Sequence, residues 1–330
     1  MSKDTHRLYV PIITLYENRL QVYERDLWSQ YRTRKKEKSQ TIGKNLKYTG
    51  KMTRSGKKTI ERRLTSWLLA MECYNKRNSV KGKRVPHKPV FITLTLSEAQ
   101  KHTDYYIKRN MLQVFLKDLQ YNFNVINYFW KAERQKNGNI HFHILVDKFI
   151  QMNHVRSAWN RIQYKHGYTE KYRNEYGSHN PPSTHVEGQP TKGSICQYVM
   201  KYVSKHDNEQ CVEGSVYRFS KSLLALKPFS EIAMGSFSDI IQRFIDSQEI
   251  KVYKNDFCTT YYFAKIMVLD GLPEAFKTRV ENYYCSVYKA IYDDKEQKKL
   301  GVSTEHRKEK RHEQGDLFGE GESTQYIRGH

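Results

Sequence analysis

The 330-residue chain carries 57 Lys+Arg against 35 Asp+Glu, a formal net charge of +22, with a hydrophobic fraction of 38% and a mean hydropathy of −0.82. That is ample chain for a hydrophobic core, yet no apolar run approaches the ~20 residues needed to cross a bilayer. The expectation is a protein with no membrane partner, no signal peptide and a cytoplasmic setting, that of a bacterial host. The five cysteines are scattered and never form Cys-x-x-Cys, which argues for a reduced compartment and against a thiolate zinc site.

The charge is uneven. Residues 1–84 hold 22 Lys+Arg against 7 Asp+Glu. Clustered positive charge gains affinity for a polyphosphate by releasing its counterions. With 25 tyrosines and 14 phenylalanines beside it, the expected partner is nucleic acid with unpaired bases on which rings can stack.

In chain order, residues 1–30 mix β-prone and charged residues without a clear period, and 31–58 read as a flexible basic arm. From Thr59 to Tyr74, the spacing of Ile60, Leu64, Trp67, Leu68 and Met71 predicts an amphipathic helix. A basic, proline-closed linker follows. VFITLTLS (90–97) alternates and is β-branched, hence a strand, and Ser97 is placed to cap the next helix, which runs to Tyr121. NVINYFWKAERQ (124–135) is a second strand, and KNGN turns it into HFHILVD as a hairpin. Residues 153–167 form a helix ended by glycine, THVEGQ an edge strand, and KGSICQYVMKYVSK (192–205) another helix. Helical patterns recur around 237–248 and 272–293, and from about residue 294 the chain is charged and reads as disordered.

Two short stretches carry chemistry. In the strand GNIHFHILVD, alternation points His141 and His143 one way and Ile140, Phe142, Ile144 and Val146 the other. Two imidazoles on one face can hold a divalent metal, and Glu133 on the paired strand supplies a carboxylate within reach. The competing reading is an exposed polar strand face with Glu133 as a solvated charge. In QYVMKYVSK, Tyr198 and Tyr202 are four apart and share a helix face, and Lys201 and Lys205 each follow a tyrosine by three residues. A nearby ammonium favours the phenolate and can also ground a phosphate oxygen. The bland alternative is a core-facing tyrosine stripe with solvated lysines. Together these parts describe phosphodiester cleavage, in which a tyrosine becomes joined to a 5′ phosphate and leaves a free 3′ hydroxyl.

VFITLTLS, GNIHFHILVD and QYVMKYVSK, in that order and spacing, resemble the three motifs of HUH endonucleases, specifically the two-tyrosine rolling-circle replication initiators of bacteriophages and plasmids. The resemblance covers about residues 88–206. It implies an α+β fold, a central antiparallel sheet flanked by helices in a ferredoxin-like palm. It also implies Mg²⁺ or Mn²⁺ on His141, His143 and Glu133, and Tyr198 or Tyr202 nicking single-stranded origin DNA with strand transfer and closure. A relaxase or transposase with the same chemistry, or a non-catalytic origin-binding repressor, are the alternatives. No Gly-x-x-x-x-Gly-Lys-[Ser/Thr] motif is present, so unwinding would fall to a host helicase.

The expected organisation is a DNA-engaging basic extension over 1–87, the nuclease domain over 88–235, a helical region over 236–293 and a disordered tail over 294–330. Within HRKEKRHEQGDLFGEGEST the only large apolar residues are Leu317 and Phe318. With Gln314 and Asp316 they resemble the bacterial sliding-clamp-binding motif, which would bring a host polymerase clamp to the 3′ hydroxyl.

Overall fold

The computed structural model describes residues 9–16, 19–26, 50–79, 87–187, 199–201, 203, 211–233, 235–247, 250–263 and 272–292. Described residues up to Tyr288 form one compact unit, and a second begins at Lys289.

Two five-stranded antiparallel sheets organise the first unit. The one that matters for function contains β3 (Val90–Leu94), β4 (Tyr128–Arg134), β5 (Ile140–Val146), β6 (Thr184–Glu187) and β7 (Tyr217–Phe219), in the order β6-β3-β5-β4-β7. Its first four strands run strand, helix, strand, strand, helix, strand, the split β-α-β arrangement. The central antiparallel sheet flanked by helices is therefore as expected, and THVE lies at its edge.

One face of this sheet makes the main core. Ile140, Phe142, Ile144 and Val146 of β5 are all buried there. Helix 104–122 covers them with Ile107, Met111, Phe115 and Leu119, and Met152–Lys165 adds Val155, Trp159 and Ile162. Phe115 and Trp159 meet edge to face, with centroids 5.8 Å apart.

The β4–β5 hairpin closes through Gln135 and Asn139, whose backbones bond at 2.9 Å. Gly138 sits there at φ 84°, a left-handed conformation that glycine adopts without a Cβ clash. At the hairpin's other end the fully buried Asp147 accepts from the backbone N–H groups of Ile126 and Asn127, fixing where β4 starts.

The helix after β3 starts later than expected. Thr103, not Ser97, is its N-cap, accepting from the Tyr106 N–H. Ser97 instead donates its N–H and hydroxyl to Gln163. The helix is also not uniformly α: Ile107–Leu112 is a π segment between α segments Asp104–Tyr106 and Gln113–Asn122.

The N-terminal helix is longer than its apolar spacing suggests, running Arg54–Asn78, because Thr53 caps it by accepting from Gly56 N–H. Ile60, Leu64, Trp67 and Met71 are buried as expected, while Leu68 is only half-buried. Arg63 lies over the Phe219 ring of β7 at 5.6 Å.

The second sheet has no counterpart in the sequence pattern. The hairpin β1 (Tyr9–Leu15) and β2 (Arg19–Asp26) joins β8 (Ser230–Ile232) and the hairpin β9 (Ile250–Asn255) and β10 (Cys258–Phe263), in the order β8-β1-β2-β10-β9. Residues 236–293 are thus not wholly helical: a β-hairpin separates Ser236–Asp246 from the helix at 274–292. Arg19 ties the N-terminal sheet to the long helix through Glu61 at 3.0 Å. Residues 294–330, with Gln314, Asp316, Leu317 and Phe318, lie outside the described residues, as does most of the basic arm. Among the described residues no helix is long and apolar enough to cross a membrane.

Candidate metal centre and nuclease site

Strand pairing builds the site. Glu133 is the register partner of His141, and Lys131 that of His143. Residues two apart on a strand share a face, so Lys131 and Glu133 of β4 stand beside His141 and His143 of β5. The ligand atoms of Glu133, His141 and His143 all lie within 4.8 Å of one another. No other cluster of three or more metal-ligating side chains is found among the described residues.

The two imidazoles are 8% and 6% exposed, so the reading of a solvated strand face fails. Phe91 stacks on His143 with centroids 5.4 Å apart. The sheet is apolar on this second face too, with Phe91, Phe129, Leu145 and Phe219 buried. Alternation along β5 thus separates core from site rather than core from water.

Thr93 and Thr95 complete the arrangement. Thr93 is the register partner of His143, and its Oγ1 lies 3.5 Å from His143 Nδ1. Thr95 Oγ1 lies 3.3 Å from His141 Nδ1. Each hydroxyl can accept an Nδ1–H proton and so leave Nε2 free for a metal. Such outer partners orient histidine ligands and raise their basicity. The sequence holds the signal for both: Thr93 and Thr95 alternate in FITLTL, and β3 neighbours β5.

The donor set fits a divalent ion. His143 Nε2 and Glu133 Oε1 are 2.9 Å apart, a hydrogen-bond distance that is also the edge of an octahedron with bonds of about 2.1 Å. The other carboxylate oxygen of Glu133 faces Lys131 Nζ at 3.2 Å. Burial opposes ionisation of Glu133, but the hydrogen bond and charge of His143 and the Lys131 ammonium outweigh it. Together they hold the carboxyl down to about 2. Glu133 is therefore ionised at neutral pH, as a ligand must be.

Residues 89–207 match the replication-associated protein ORF2 family. This segment is a replication-associated protein domain. The match spans β3 to β6, and so every strand of the site, and is consistent with a rolling-circle replication initiator. No curated protein and no solved structure matches the chain.

Of the remaining expected site residues, Lys201 is exposed in the helical residues 199–201 and 203, where Val199 and Val203 are buried. Tyr198, Tyr202 and Lys205 lie outside the described residues. The replication domain thus holds an assembled Glu-His-His triad, buttressed by two threonines and one buried lysine.

Proposed function

We propose that this protein initiates rolling-circle replication by metal-dependent nicking and rejoining of single-stranded origin DNA. The observation that carries the reading is the convergence of Glu133, His141 and His143 within 4.8 Å inside a replication-associated domain. Two neutral imidazoles and one carboxylate suit Mg²⁺ or Mn²⁺. A divalent ion held there would polarise the scissile phosphate and screen its charge.

The chain supplies the rest. In this reading the phenol oxygen of Tyr198 or Tyr202 attacks phosphorus in line. The new O–P bond forms as the bond from phosphorus to the 3′ oxygen breaks. The phenol's proton passes to solvent, and the leaving oxygen takes one up as a free 3′ hydroxyl. The strand stays on the enzyme as a 5′-phosphotyrosine. Lys201, exposed on the same stretch, and Lys205 are positioned in sequence to favour the phenolate and to pair with phosphate oxygens. The second tyrosine would then accept a strand while the first still holds one.

An origin-binding repressor needs no such triad, and its assembly favours an enzyme. The tail motif at Gln314–Phe318 and the host helicase extend the proposal to partners. Titrating a peptide of residues 310–323 against a bacterial clamp tests the first; equal binding by a Leu317→Ala/Phe318→Ala peptide would end it. The enzymatic reading is tested by trapping a covalent protein–DNA adduct with Mn²⁺ present.

A further inference from the structure

The face of the functional sheet opposite the metal centre holds a cleft of about 590 Å³ between helix 104–122 and the β4–β7 edge. That volume lies in the roughly 300–1,000 Å³ range of small-ligand sites. Its wall chemistry differs from the apolar core beside it. Lys108, Arg109 and Lys117 line it from the helix and Arg218 from β7, where Arg218 is the register partner of Trp130. Tyr105, Tyr128 and Trp130 supply rings on the same wall, and Glu213 is the one carboxylate among the lining residues.

Two further observations mark the cleft as built. The π segment Ile107–Leu112 carries Lys108 and Arg109. Such segments are rare and concentrate at functional sites, because the wider turn re-aims side chains at a cost in regular hydrogen bonding. Arg109 Nη1 donates to the Tyr105 hydroxyl at 2.8 Å, which holds a guanidinium beside a ring that is 58% exposed. Lys108 donates to the backbone oxygen of Glu213 at 2.5 Å. Burial pushes the Lys108 ammonium down to about 8; Asp104 and Glu213 pull the other way, while Arg134 and Arg218 push it further. A bound phosphate would add the negative charge that this cluster of cations lacks.

We propose that this cleft is a second binding site for single-stranded DNA, in which a phosphate pairs with Lys108, Lys117 or Arg218 while a base stacks on Tyr105 or Tyr128. Cations alone would suit any polyanion. An exposed ring held beside a guanidinium points to a nucleotide, since every base offers a face for stacking. Because Tyr128 and Trp130 alternate with Lys131 and Glu133 along β4, the cleft and the metal centre occupy opposite faces of one strand. A strand bound here cannot be the segment being cut. It would be a flanking or displaced strand, held while chemistry proceeds across the sheet.

The test uses the full chain with labelled (dT)20 in the presence of chelator, so that it reads binding without nicking. Tyr105→Leu leaves the charge unchanged and should weaken binding at least about fivefold, the lower end of one base–aromatic stack. Lys117→Ala/Arg218→Ala should flatten the slope of log affinity against log salt by about 1.4, two phosphate contacts at ~0.7 each. The control Lys251→Ala/Lys254→Ala removes the same charge from exposed positions of β9. Photocrosslinking with a 5-iododeoxyuridine oligonucleotide should label peptides containing Tyr105 or Tyr128. Equal slopes for cleft and control variants, with unchanged affinity for Tyr105→Leu, would overturn the site. Labelling of the cleft by 5-iododeoxyuridine monophosphate but not by the oligonucleotide would overturn the strand assignment and leave a free-nucleotide pocket. None of these readings depends on cleavage, so a protein that fails to nick would still decide the question.

Discussion

Lys131 Nζ lies 3.2 Å from Glu133 Oε2 while His143 holds the other oxygen of the same carboxylate, and the lysine side chain is 1% exposed. A lysine this deeply buried needs a compensating charge. Glu133 therefore has two roles: it neutralises Lys131, and it is the one acidic donor of the triad. Removing one partner of a buried ion pair costs on the order of 3–5 kcal/mol because the other charge is left stranded. Lys131→Met should accordingly lower the melting temperature of the metal-free protein. Added Mn²⁺ then compensates Glu133 in the lysine's place, so it should stabilise Lys131→Met more than the parent chain. In Glu133→Gln the metal-dependent stabilisation should disappear. Thermal unfolding with and without Mn²⁺ measures all three, and identical metal-induced shifts in the parent and both variants would dismiss Glu133 as a ligand.

The threonines should act through the histidines. Thr95→Val and Thr93→Val keep side-chain volume but remove the acceptor for each Nδ1–H. Loss of such an outer partner typically weakens metal binding about 10- to 100-fold. The 3.3 Å contact of Thr95 with His141 is closer than the 3.5 Å contact of Thr93 with His143, so Thr95→Val should show the larger loss. Calorimetric titration with Mn²⁺ decides it; undiminished affinity in both variants would reduce the threonines to packing.

Acid sensitivity should arise away from the site. His87 is 1% exposed and packs edge-on against Tyr74 and Tyr288. Burial, assisted by the charge of Lys148, lowers its imidazole from 6.5 to about 4. Between those values the unfolded chain binds a proton that the folded chain does not, so stability rises with pH across this window and falls on acidification. The loss should reach on the order of 2–3 kcal/mol by pH 4. His87→Phe should flatten that dependence in denaturant titrations at pH 7 and pH 4.5. An unchanged pH dependence would assign the acid sensitivity to other groups.

Much of the site is legible in the sequence because a period of two survives in β5. Its apolar residues point to the helices and its histidines to the opposite face, and the short KNGN turn fixes Glu133 opposite His141. The second sheet is not legible. In β1, Ile12, Ile13, Thr14 and Leu15 are all buried, and a strand covered on both faces shows no alternation. Its sheet partners β8 and β10 also lie more than 200 residues along the chain. β9 fails for the opposite reason, since it is almost entirely exposed and buries no stripe. Lys131 gives no signal either, because a lysine in a strand normally marks solvent, and only the packed second face turns it inward.

The same packing changes how the basic N-terminus must be tested. Deleting residues 1–84 would remove β1, β2 and the buried face of Arg54–Asn78, and so would report on folding. Lys51, Arg54 and Lys58 are not buried and can be changed singly or together. The triple glutamine variant should keep its melting temperature and flatten the salt dependence of single-stranded DNA binding by about 2, three contacts at ~0.7 each. A salt slope equal to the parent's would place the DNA-engaging charge elsewhere.

Cutting of DNA by a tyrosine beside the Glu133–His141–His143 triad is the central claim. It is tested most directly by incubating the full chain with end-labelled single-stranded DNA spanning the origin of its own replicon, with Mn²⁺, and mapping any covalent adduct by mass spectrometry. The expected product is a 5′-phosphotyrosine on Tyr198 or Tyr202. Chelator, or replacement of His141 and His143 by alanine, should abolish it, and so should Tyr198→Phe/Tyr202→Phe. An adduct that survives the double phenylalanine variant, or full-rate nicking by the double histidine variant in chelator, would contradict it.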